Sequence, residues 1–364
     1  MRNTGTRGYY GYRGRRPDGK RWLIVALVLI LLAACAFLLA QRYIVYDMDG
    51  SYHFELPWFR RAESGGTAQE SPDAQGEPAP QGTSHQQDLE IVIERPPEPE
   101  VLPLRARELE SSALGGIERT LSELPPEINA VAVRLKNVKG DLLYPSELAS
   151  AIEAKAVAGS SIARSALETL TASDYHTIAR LSALHDSRFS FAHMTEAAVL
   201  QRNYKNYVWY APDSSFYLAP EKELTRQYLC DIAAEVAGLG FDELLFDEFC
   251  YPPAGRLSNI NTDARTMTME EALSLLADNL REALGDSGVL LSLTMDADTV
   301  LSGSNEKSGQ NLLMLAPRFD RIYVPATEEQ LPELRAAMAP FEDTELVPIL
   351  KEPGAEEVYL LSEG

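Results

Sequence analysis

Cysteine is scarce in this chain, since Cys35, Cys230 and Cys250 are the only three among 364 residues. Three cysteines cannot build a disulfide framework, and none stands in the C-x-x-C spacing of zinc sites. The G-x-S-x-G nucleophile elbow, the P-loop and the H-E-x-x-H zinc motif are also absent. We therefore expect no metal and no other cofactor, and we do not expect a disulfide between Cys230 and Cys250.

Positive charge is also scarce, and much of it is concentrated at one end of the chain. The sequence has 33 Lys and Arg against 54 Asp and Glu, a net charge of −21. Residues 1–42 contain eight basic side chains and one acidic one, which leaves −28 on the other 322 residues. A body this acidic repels phosphate backbones, which argues against nucleic acid as a partner.

Charged residues are missing altogether from 22–40, the 19-residue stretch WLIVALVLILLAACAFLLA. About 20 apolar residues are needed to span the hydrocarbon core of a bilayer as a helix. The basic residues before the stretch predict a cytoplasmic tail at 1–21, a single-pass signal anchor at 22–40 and an extracellular body at the cell membrane. Two alternatives stay open: cleavage of the segment as a signal peptide, and attachment of a lipid to Cys35.

Composition changes twice between this segment and the globular part. Two β-prone runs flank Asp49-Gly50, which predicts a juxtamembrane hairpin at 41–61. Residues 62–88 contain no aromatic residue and are rich in Gly, Pro, Gln and Glu, and prolines follow at 96, 97 and 99. Such a stretch cannot bury enough surface to fold, so we predict a disordered linker at 62–97 and a globular domain at 98–364.

Segments with β-like and helix-like patterns alternate along the globular part. Eight β-candidates occur there, at 101–104, 129–135, 177–184, 243–249, 289–295, 319–325, 346–351 and 357–361. Alternating strands and helices imply an α/β fold with a parallel sheet, and eight strands in this length match a (β/α)8 TIM barrel. A doubly wound open sheet is the alternative, but the Gly-rich loop that it usually carries is absent.

The active sites of such barrels lie at the C-terminal ends of the strands, and strand alternation predicts which side chains point inward. The inward positions there carry charges of both signs, with the carboxylates Asp247 and Asp296 and the cations Arg134, Lys136 and Arg180. Further residues predicted to point inward or to lie near the mouth are Ser182, His185, Asp186, Trp209, Tyr210, Phe249, Tyr251, Tyr323 and Lys351.

A polar mouth of mixed charge with aromatic rings beside it suits a carbohydrate, which needs hydrogen-bonding groups and flat apolar faces. Two carboxylates are the minimum for cleavage of a glycosidic bond, since one protonates the leaving oxygen and the other is a nucleophile or activates water. Inward charges can equally pair with one another in a structural salt-bridge network. Spacing alone leaves both interpretations open.

The segment LGFDELLFDEFCYP at 239–252 resembles the fourth-strand signature of a bacterial family of glycoside hydrolase barrel domains, which reads roughly GFDEIQFDYVRFP. Three further blocks are similar to that family in the same order: NAVAVRLK at 129–136, IARLSALHD at 178–186 and WYAP at 209–212. The resemblance covers about residues 100–325. It implies a TIM barrel related to the alpha-amylase-like hydrolases, with polysaccharide as the substrate class.

The resemblance implies that Asp247 is the catalytic nucleophile or base, and that Asp296 lies near a second acidic residue of the family. The second carboxylate is then Asp296 or Glu248, although the family has no acid at the position of Glu248. We expect the substrate to contact further residues of the mouth, namely Arg134, Lys136, Arg180, Asp186, Trp209, Tyr251 and Tyr323. The chain departs from the family pattern at several positions, with Arg134 in place of Asp, His185 in place of Lys, Glu248 in place of Tyr and Cys250 in place of Arg.

Two functions are consistent with this sequence. The first is a membrane-anchored extracellular glycoside hydrolase that acts on a cell-wall or environmental polysaccharide and contacts the bilayer through 22–40. The second is a catalytically inactive barrel that binds glycan or serves as an envelope scaffold, which the changed motif positions favour.

Overall fold

The computed structural model describes residues 44–46, 52–54, 102–204, 206–263 and 265–362. Near the N-terminus, strand Ile44–Tyr46 pairs antiparallel with strand Tyr52–Phe54, on either side of Asp49-Gly50. The predicted anchor at 22–40 and the predicted linker at 62–97 lie outside the described residues. Within the described part of the chain, no helix has the length and apolar character needed to cross a membrane.

Eight parallel strands close into a barrel, which confirms the predicted architecture and is consistent with a (β/α)8 TIM barrel. Each strand pairs with the next along the chain, and the eighth pairs with the first, with Tyr359 opposite Arg105. The strands are β1 (Arg105–Leu109), β2 (Ala130–Lys136), β3 (His176–Ser182), β4 (Glu243–Asp247), β5 (Leu290–Thr294), β6 (Arg321–Pro325), β7 (Glu345–Leu350) and β8 (Tyr359–Leu361).

Helices occupy the connections between the strands. The α-helices are α1 (Ile117–Ser122), α2 (Ala149–Glu153), α3 (Arg164–Thr171), α4 (Ser187–Ala192), α5 (Met194–Ala197), α6 (Glu223–Gly238), α7 (Met269–Leu284), α8 (Ala297–Ser302), α9 (Leu312–Leu315) and α10 (Leu331–Met338). Single 3₁₀ turns cover Ser111–Gly116, Ala156–Gly159, Leu257–Asn259, Ala316–Arg318 and Glu328–Gln330, and two short strands, Ser304–Asn305 and Gln310–Asn311, pair with each other. A capping box between Thr268 and Glu271 starts α7.

Side chains alternate along β2 as the sequence predicts. Val131, Val133 and Leu135 belong to the large apolar cluster that the helices share, whereas Ala130 and Ala132 lie in a separate cluster inside the barrel. Other members of the inner cluster are Leu104, Ala106, Ile178, Leu245, Tyr323, Val347 and Leu360. This apolar plug fills the middle of the barrel and leaves polar side chains at its two ends.

The first strand lies further along the chain than predicted. The β-prone run at 101–104 precedes the actual β1, Arg105–Leu109. The sequence RAREL contains three charged residues, which conceal the alternation of inward and outward side chains. Ala106 nevertheless points into the barrel, so the same face carries Glu108 at the mouth.

The register shifts where β2 pairs with β3, and this shift moves Lys136. Arg134 lies opposite Arg180, but Lys136 lies opposite Leu181, so Leu135 is the extra residue. A bulge of this kind re-aims the side chain that follows it. The prediction that Lys136 points into the mouth is therefore wrong: its side chain is fully buried.

Candidate active site at the barrel mouth

Asp247, the last residue of β4, lies at the centre of an ion-pair network at the mouth of the barrel. Its Oδ1 accepts hydrogen bonds from the Arg180 guanidinium at 3.0 Å and from the Thr294 hydroxyl at 2.6 Å. Its Oδ2 accepts from Arg134 at 3.0 Å and from Arg180 at 3.1 Å. Donors from β2, β3 and β5 therefore hold one carboxylate, and the Arg180 contact is the bidentate kind.

Glu108, the penultimate residue of β1, is a second carboxylate in the same network, and it was not among the residues predicted at the mouth. Its oxygens accept from Arg180 at 2.5 Å and from Arg134 at 3.4 Å, and Ser362 also donates to it. Because Arg180 bridges Glu108 and Asp247, their nearest oxygens lie less than about 8 Å apart, the span of two hydrogen bonds and one guanidinium. A β1 placed at 105–109, with Ala106 inward, would have revealed Glu108.

Electrostatics keep Asp247 ionised. Burial by itself would raise the pKa of this carboxyl, but the charges of Arg180 and Arg134 and their hydrogen bonds outweigh it and lower the pKa below the usual value. In the same way, burial opposes the charge of Arg180, and the two carboxylates beside it nevertheless raise its pKa. The network thus carries fixed charges of both signs.

Glu248 follows Asp247 directly and adopts an unusual backbone conformation. Its φ of 52° is left-handed, which costs a non-glycine residue about 1–2 kcal/mol. The backbone of the chain after β3 holds it there, since Leu184 N donates to Glu248 O at 3.1 Å. The Glu248 side chain is 38% exposed, and its Oε2 lies 3.6 Å from Nδ1 of His185. Strain of this size at a strand end is a frequent mark of a functional position.

The turn at Glu248 also redirects Phe249, which was predicted to point inward. Phe249 instead joins the apolar cluster shared with the helices, where its ring packs edge-on against Phe246 and Phe319. The alternation of a strand cannot be extended through a left-handed residue, so the predicted strand end at 249 was two residues too long.

Asp296 lies at the end of the connection from β5 and immediately precedes α8. It is exposed, and its carboxylate accepts a hydrogen bond from the Thr299 hydroxyl at 2.8 Å. Burial raises the pKa of the Cys250 thiol well above its usual value, and the charges of Glu248 and Asp296 raise it further. Cys250 is therefore a protonated thiol, and both Cys230 and Cys250 are free.

Lys136 and Asp186 form a fully buried ion pair below the mouth, with Nζ 2.8 Å from Oδ2. Nζ also donates to the Ser182 carbonyl at 2.7 Å. Asp186 caps α4 by accepting from Phe189 N at 2.8 Å. Both residues were predicted to contact substrate, but both side chains are fully buried.

The predicted aromatic residues are distributed over three environments. Trp209 is buried beside Tyr217 and donates its Nε1–H to the Arg256 carbonyl at 3.1 Å. Tyr251 is buried, donates to Glu221 at 2.5 Å and carries the Arg265 guanidinium over its ring. Tyr323 lies inside the barrel, whereas Tyr210 is exposed. The buried rings thus offer no free face for a sugar to stack on.

Tyr323 belongs to a second polar layer, at the opposite end of the barrel from the mouth. Its centre is Glu243, the first residue of β4, which is completely buried. Glu243 accepts from Arg321 at 2.6 Å, Tyr323 at 2.8 Å and Ser292 at 2.6 Å, and lies 2.8 Å from His176 Nε2. Three donors converge on this one buried carboxylate, and the layer lies away from the C-terminal ends of the strands, so it is a stabilising network.

A polar cavity of about 530 Å³ opens beside Glu108 and Arg134, where β1, β2, β7 and β8 end. Lys351, which was predicted to line the mouth, is exposed on its wall. The volume lies in the range of small-ligand sites, about 300–1,000 Å³. Among the residues that the structure describes, no group of three or more His, Cys, Asp or Glu is arranged to hold a metal ion.

Comparison with known proteins adds three similarities in fold. A hypothetical protein from Ruminiclostridium thermocellum is 25% identical, with a TM-score of 0.43 over 51% of this chain and 95% of its own. The glycoside hydrolase domain of PgaB (BpsB) from Bordetella bronchiseptica is 15% identical, with a TM-score of 0.43 over 68% of this chain and 84% of its own.

The third, a GH20 exo-β-N-acetylglucosaminidase from Vibrio harveyi, is 11% identical, with a TM-score of 0.43 over 68% of this chain and 41% of its own. No curated protein sequence matches this chain.

The sequence itself matches a family model over residues 120–325, more than half of the chain. That family is described as "Putative glycosyl hydrolase domain", DUF4015. The match spans β2 to β6 and includes Arg134, Arg180 and Asp247 of the mouth network. The chain therefore belongs to the DUF4015 family.

Proposed function

We propose that this protein is a glycoside hydrolase whose catalytic centre is the carboxylate network at the mouth of the barrel. The observation that carries the proposal is the Asp247 carboxylate, which Arg134 and Arg180 keep ionised at the strand end where barrel enzymes perform their chemistry. The polar cavity that Glu108 and Arg134 of the same network line has a size and lining that suit a sugar unit. Polysaccharide or another cell-wall or environmental glycan is the substrate class.

The two carboxylates at the end of β4 take different roles. Asp247 has a lowered pKa and no proton to give, so it acts as the nucleophile or stabilises positive charge at the sugar carbon. Glu248 is partly exposed and faces His185 rather than an arginine, so it can hold a proton and give it to the leaving oxygen. Asp296 is the alternative second carboxylate, and Glu108 orients both arginines.

The test is the release of reducing ends from a panel of polysaccharides by the purified full-length chain. Asp247→Asn keeps the shape of the side chain but removes its charge, and we expect turnover to fall by about 100-fold or more. Asp278→Asn, which alters a carboxylate paired with Arg318 outside the mouth, is the matched control and should leave turnover unchanged. Equal output from Asp247→Asn and the unaltered chain would contradict the catalytic role of Asp247.

A non-catalytic glycan-binding barrel is the second candidate. The observation that favours it is the saturation of Asp247, whose two oxygens already accept four hydrogen bonds from protein donors. Calorimetric titration with the same polysaccharides separates the two functions. Binding of equal strength in the unaltered chain and in Asp247→Asn, with no turnover at any pH, would support the binding module.

We also propose that residues 22–40 anchor the chain in the cell membrane, with 1–21 in the cytoplasm, a hairpin at 41–61, a linker at 62–97 and the barrel outside. The uncharged stretch and the basic residues before it support this arrangement. The full-length chain should remain in the membrane fraction after alkaline washing, and its barrel should be cut by protease added to intact cells. Release of the chain by washing, or protection of the barrel, would contradict the proposal.

A further inference from the structure

A line of polar side chains leads to Glu248 from the surface of the barrel. His185 Nε2 lies 2.6 Å from Ser215 Oγ, and His185 Nδ1 lies 3.6 Å from Glu248 Oε2. The Ser215 hydroxyl in turn donates to Asp213 Oδ1 at 2.6 Å. Four residues from three segments of the chain are therefore joined from Asp213 to the carboxylate that follows the central aspartate.

The chemistry of these groups sets the direction of the hydrogen bonds. Asp213 also accepts from the Ser215 backbone N–H at 3.1 Å, and the hydrogen bonds from Ser215 lower the pKa of Asp213. A hydroxyl has one proton, which Ser215 gives to Asp213, so its oxygen is left to accept from Nε2–H of His185. The neutral imidazole therefore carries its proton on Nε2 and presents the lone pair of Nδ1 to Glu248.

The surroundings hold the imidazole in this orientation. Its ring stacks on Tyr217, with centroids 4.3 Å apart and planes 9° from parallel. The His185 carbonyl accepts from the Ser182 hydroxyl at 2.9 Å, and the side chain is only 11% exposed. The distance of 3.6 Å to Glu248 exceeds a hydrogen bond, but such contacts at catalytic residues often shorten when substrate binds.

We propose that His185 is the positioning residue of Glu248, and that the two side chains together hold the single proton exchanged during catalysis. This inference rests on the proposed function, in which Glu248 is the acid. The pair gives its proton to the glycosidic oxygen while the bond from that oxygen to the sugar carbon breaks. Water that completes hydrolysis returns a proton to the pair, so His185 and Glu248 end as they began.

Other charged groups set the field in which the pair titrates. The Tyr217 ring stacks on the imidazole, and Asp213 lies one hydrogen bond beyond Ser215. A cavity of about 780 Å³ borders His185 on its other side, and its charged lining residues are Lys139, Glu153, Lys155, Arg188 and Asp213. A change in the titration of His185 therefore identifies Glu248 as its partner only when the Glu248 charge alone is removed.

The first experiment reads the imidazole directly, by nitrogen NMR of the full-length chain labelled at histidine, with His185→Asn to assign the signal. We expect the Nε2–H tautomer in the neutral form. Glu248→Gln should lower the midpoint of the His185 titration, because it removes a negative charge 3.6 Å from the imidazole. Asp298→Asn, which alters an exposed carboxylate on α8, should leave that midpoint unchanged.

A further variant tests the direction of the hydrogen bonds from His185 through Ser215 to Asp213, while leaving the imidazole in place. Ser215→Ala removes the acceptor for Nε2–H, so part of the signal should change to the Nδ1–H tautomer. An Nδ1–H tautomer in the unaltered chain, or an equal midpoint in Glu248→Gln and Asp298→Asn, would overturn the inference.

The second experiment measures kcat/KM on aryl glycosides with good and poor leaving groups. A good leaving group needs no acid, so His185→Asn should lower the value about 100-fold for the poor leaving group and little for the good one. Equal losses on both substrates would overturn the inference. If the unaltered chain shows the expected titration but no turnover, the glycoside hydrolase function is refuted, whereas the pairing of His185 with Glu248 still stands.

Discussion

Single residues at the mouth decide which proton states it can adopt. Asp247 contacts two arginines and one hydroxyl, whereas Glu248, one residue later, contacts a histidine. Two carboxylates adjacent in sequence thus meet opposite environments, one that fixes a negative charge and one that can exchange a proton. Environments that differ in this way are how one site assigns acid and base roles to chemically similar groups.

The lowered pKa of Asp247 predicts how stability depends on pH. A carboxyl whose pKa is depressed by folding stabilises the protein above its unfolded value of 3.8, and that contribution is lost as the pH falls through the folded pKa. From about pH 5 downwards, the free energy of unfolding should therefore fall more steeply for the unaltered chain than for Asp247→Asn. Urea unfolding at a series of pH values measures both, and parallel curves would contradict the prediction.

At the scale of elements, the strand ends and the loops after them position the site. The bulge in β2 buries Lys136 against Asp186, and the loop after β2 passes directly over that pair. Gly140 in this loop has a φ of 86°, and a Cβ added to it would overlap the Asp186 carboxylate. The loop, the bulge and the helix cap thus all pack around the buried carboxylate of Asp186.

Gly140→Ala should therefore destabilise the fold by more than about 2 kcal/mol, because it combines a left-handed backbone with a steric overlap. Gly115→Ala is the matched control, since no atom lies within 4 Å of the Cβ that it adds, and it should change stability by less than about 0.5 kcal/mol. Denaturant unfolding gives both values. Similar stabilities for the two variants would show that the loop moves to admit a side chain.

Sequence patterns predicted these elements well wherever the alternation was regular. Seven of the eight β-candidates fall on the observed strands. Arg134 and Arg180, predicted at the same mouth as Asp247, both contact that carboxylate. The misses have local causes: charges conceal β1 and with it Glu108, and neither the bulge before Lys136 nor the left-handed Glu248 interrupts the pattern of apolar residues. Whether an aromatic ring or a carboxylate is buried depends on packing between distant segments, which the pattern within one segment does not specify.

At the scale of the whole molecule, the barrel has a polar layer at each end of its apolar interior. The layer around Glu243 is closed and paired throughout, while the layer around Asp247 borders an open cavity. Both layers contain arginine–carboxylate pairs, so charge alone does not distinguish a structural end from a functional one. What distinguishes the two layers is their position, because active sites of such barrels lie at the C-terminal ends of the strands.

The closed layer should dominate stability. Glu243→Ala leaves Arg321, whose side chain is only 15% exposed, without its main partner and should cost about 3–5 kcal/mol. Glu345 pairs with the same arginine but is 41% exposed, so Glu345→Ala should cost about 1 kcal/mol or less. Thermal and denaturant unfolding of the two variants provide the comparison, and equal costs would show that the depth of the pair is irrelevant.

The network at the mouth also has a consequence for the stiffness of the barrel. Strand β8 has only three residues, and the chain just after it is held to β1 by the contact of Ser362 with Glu108. Arg180 donates hydrogen bonds to Glu108 and also to Asp247 on the other side of the opening. Any ligand that competes for that guanidinium loosens the seam where the sheet closes. We therefore expect binding of a ligand at the mouth to change the flexibility of the whole barrel.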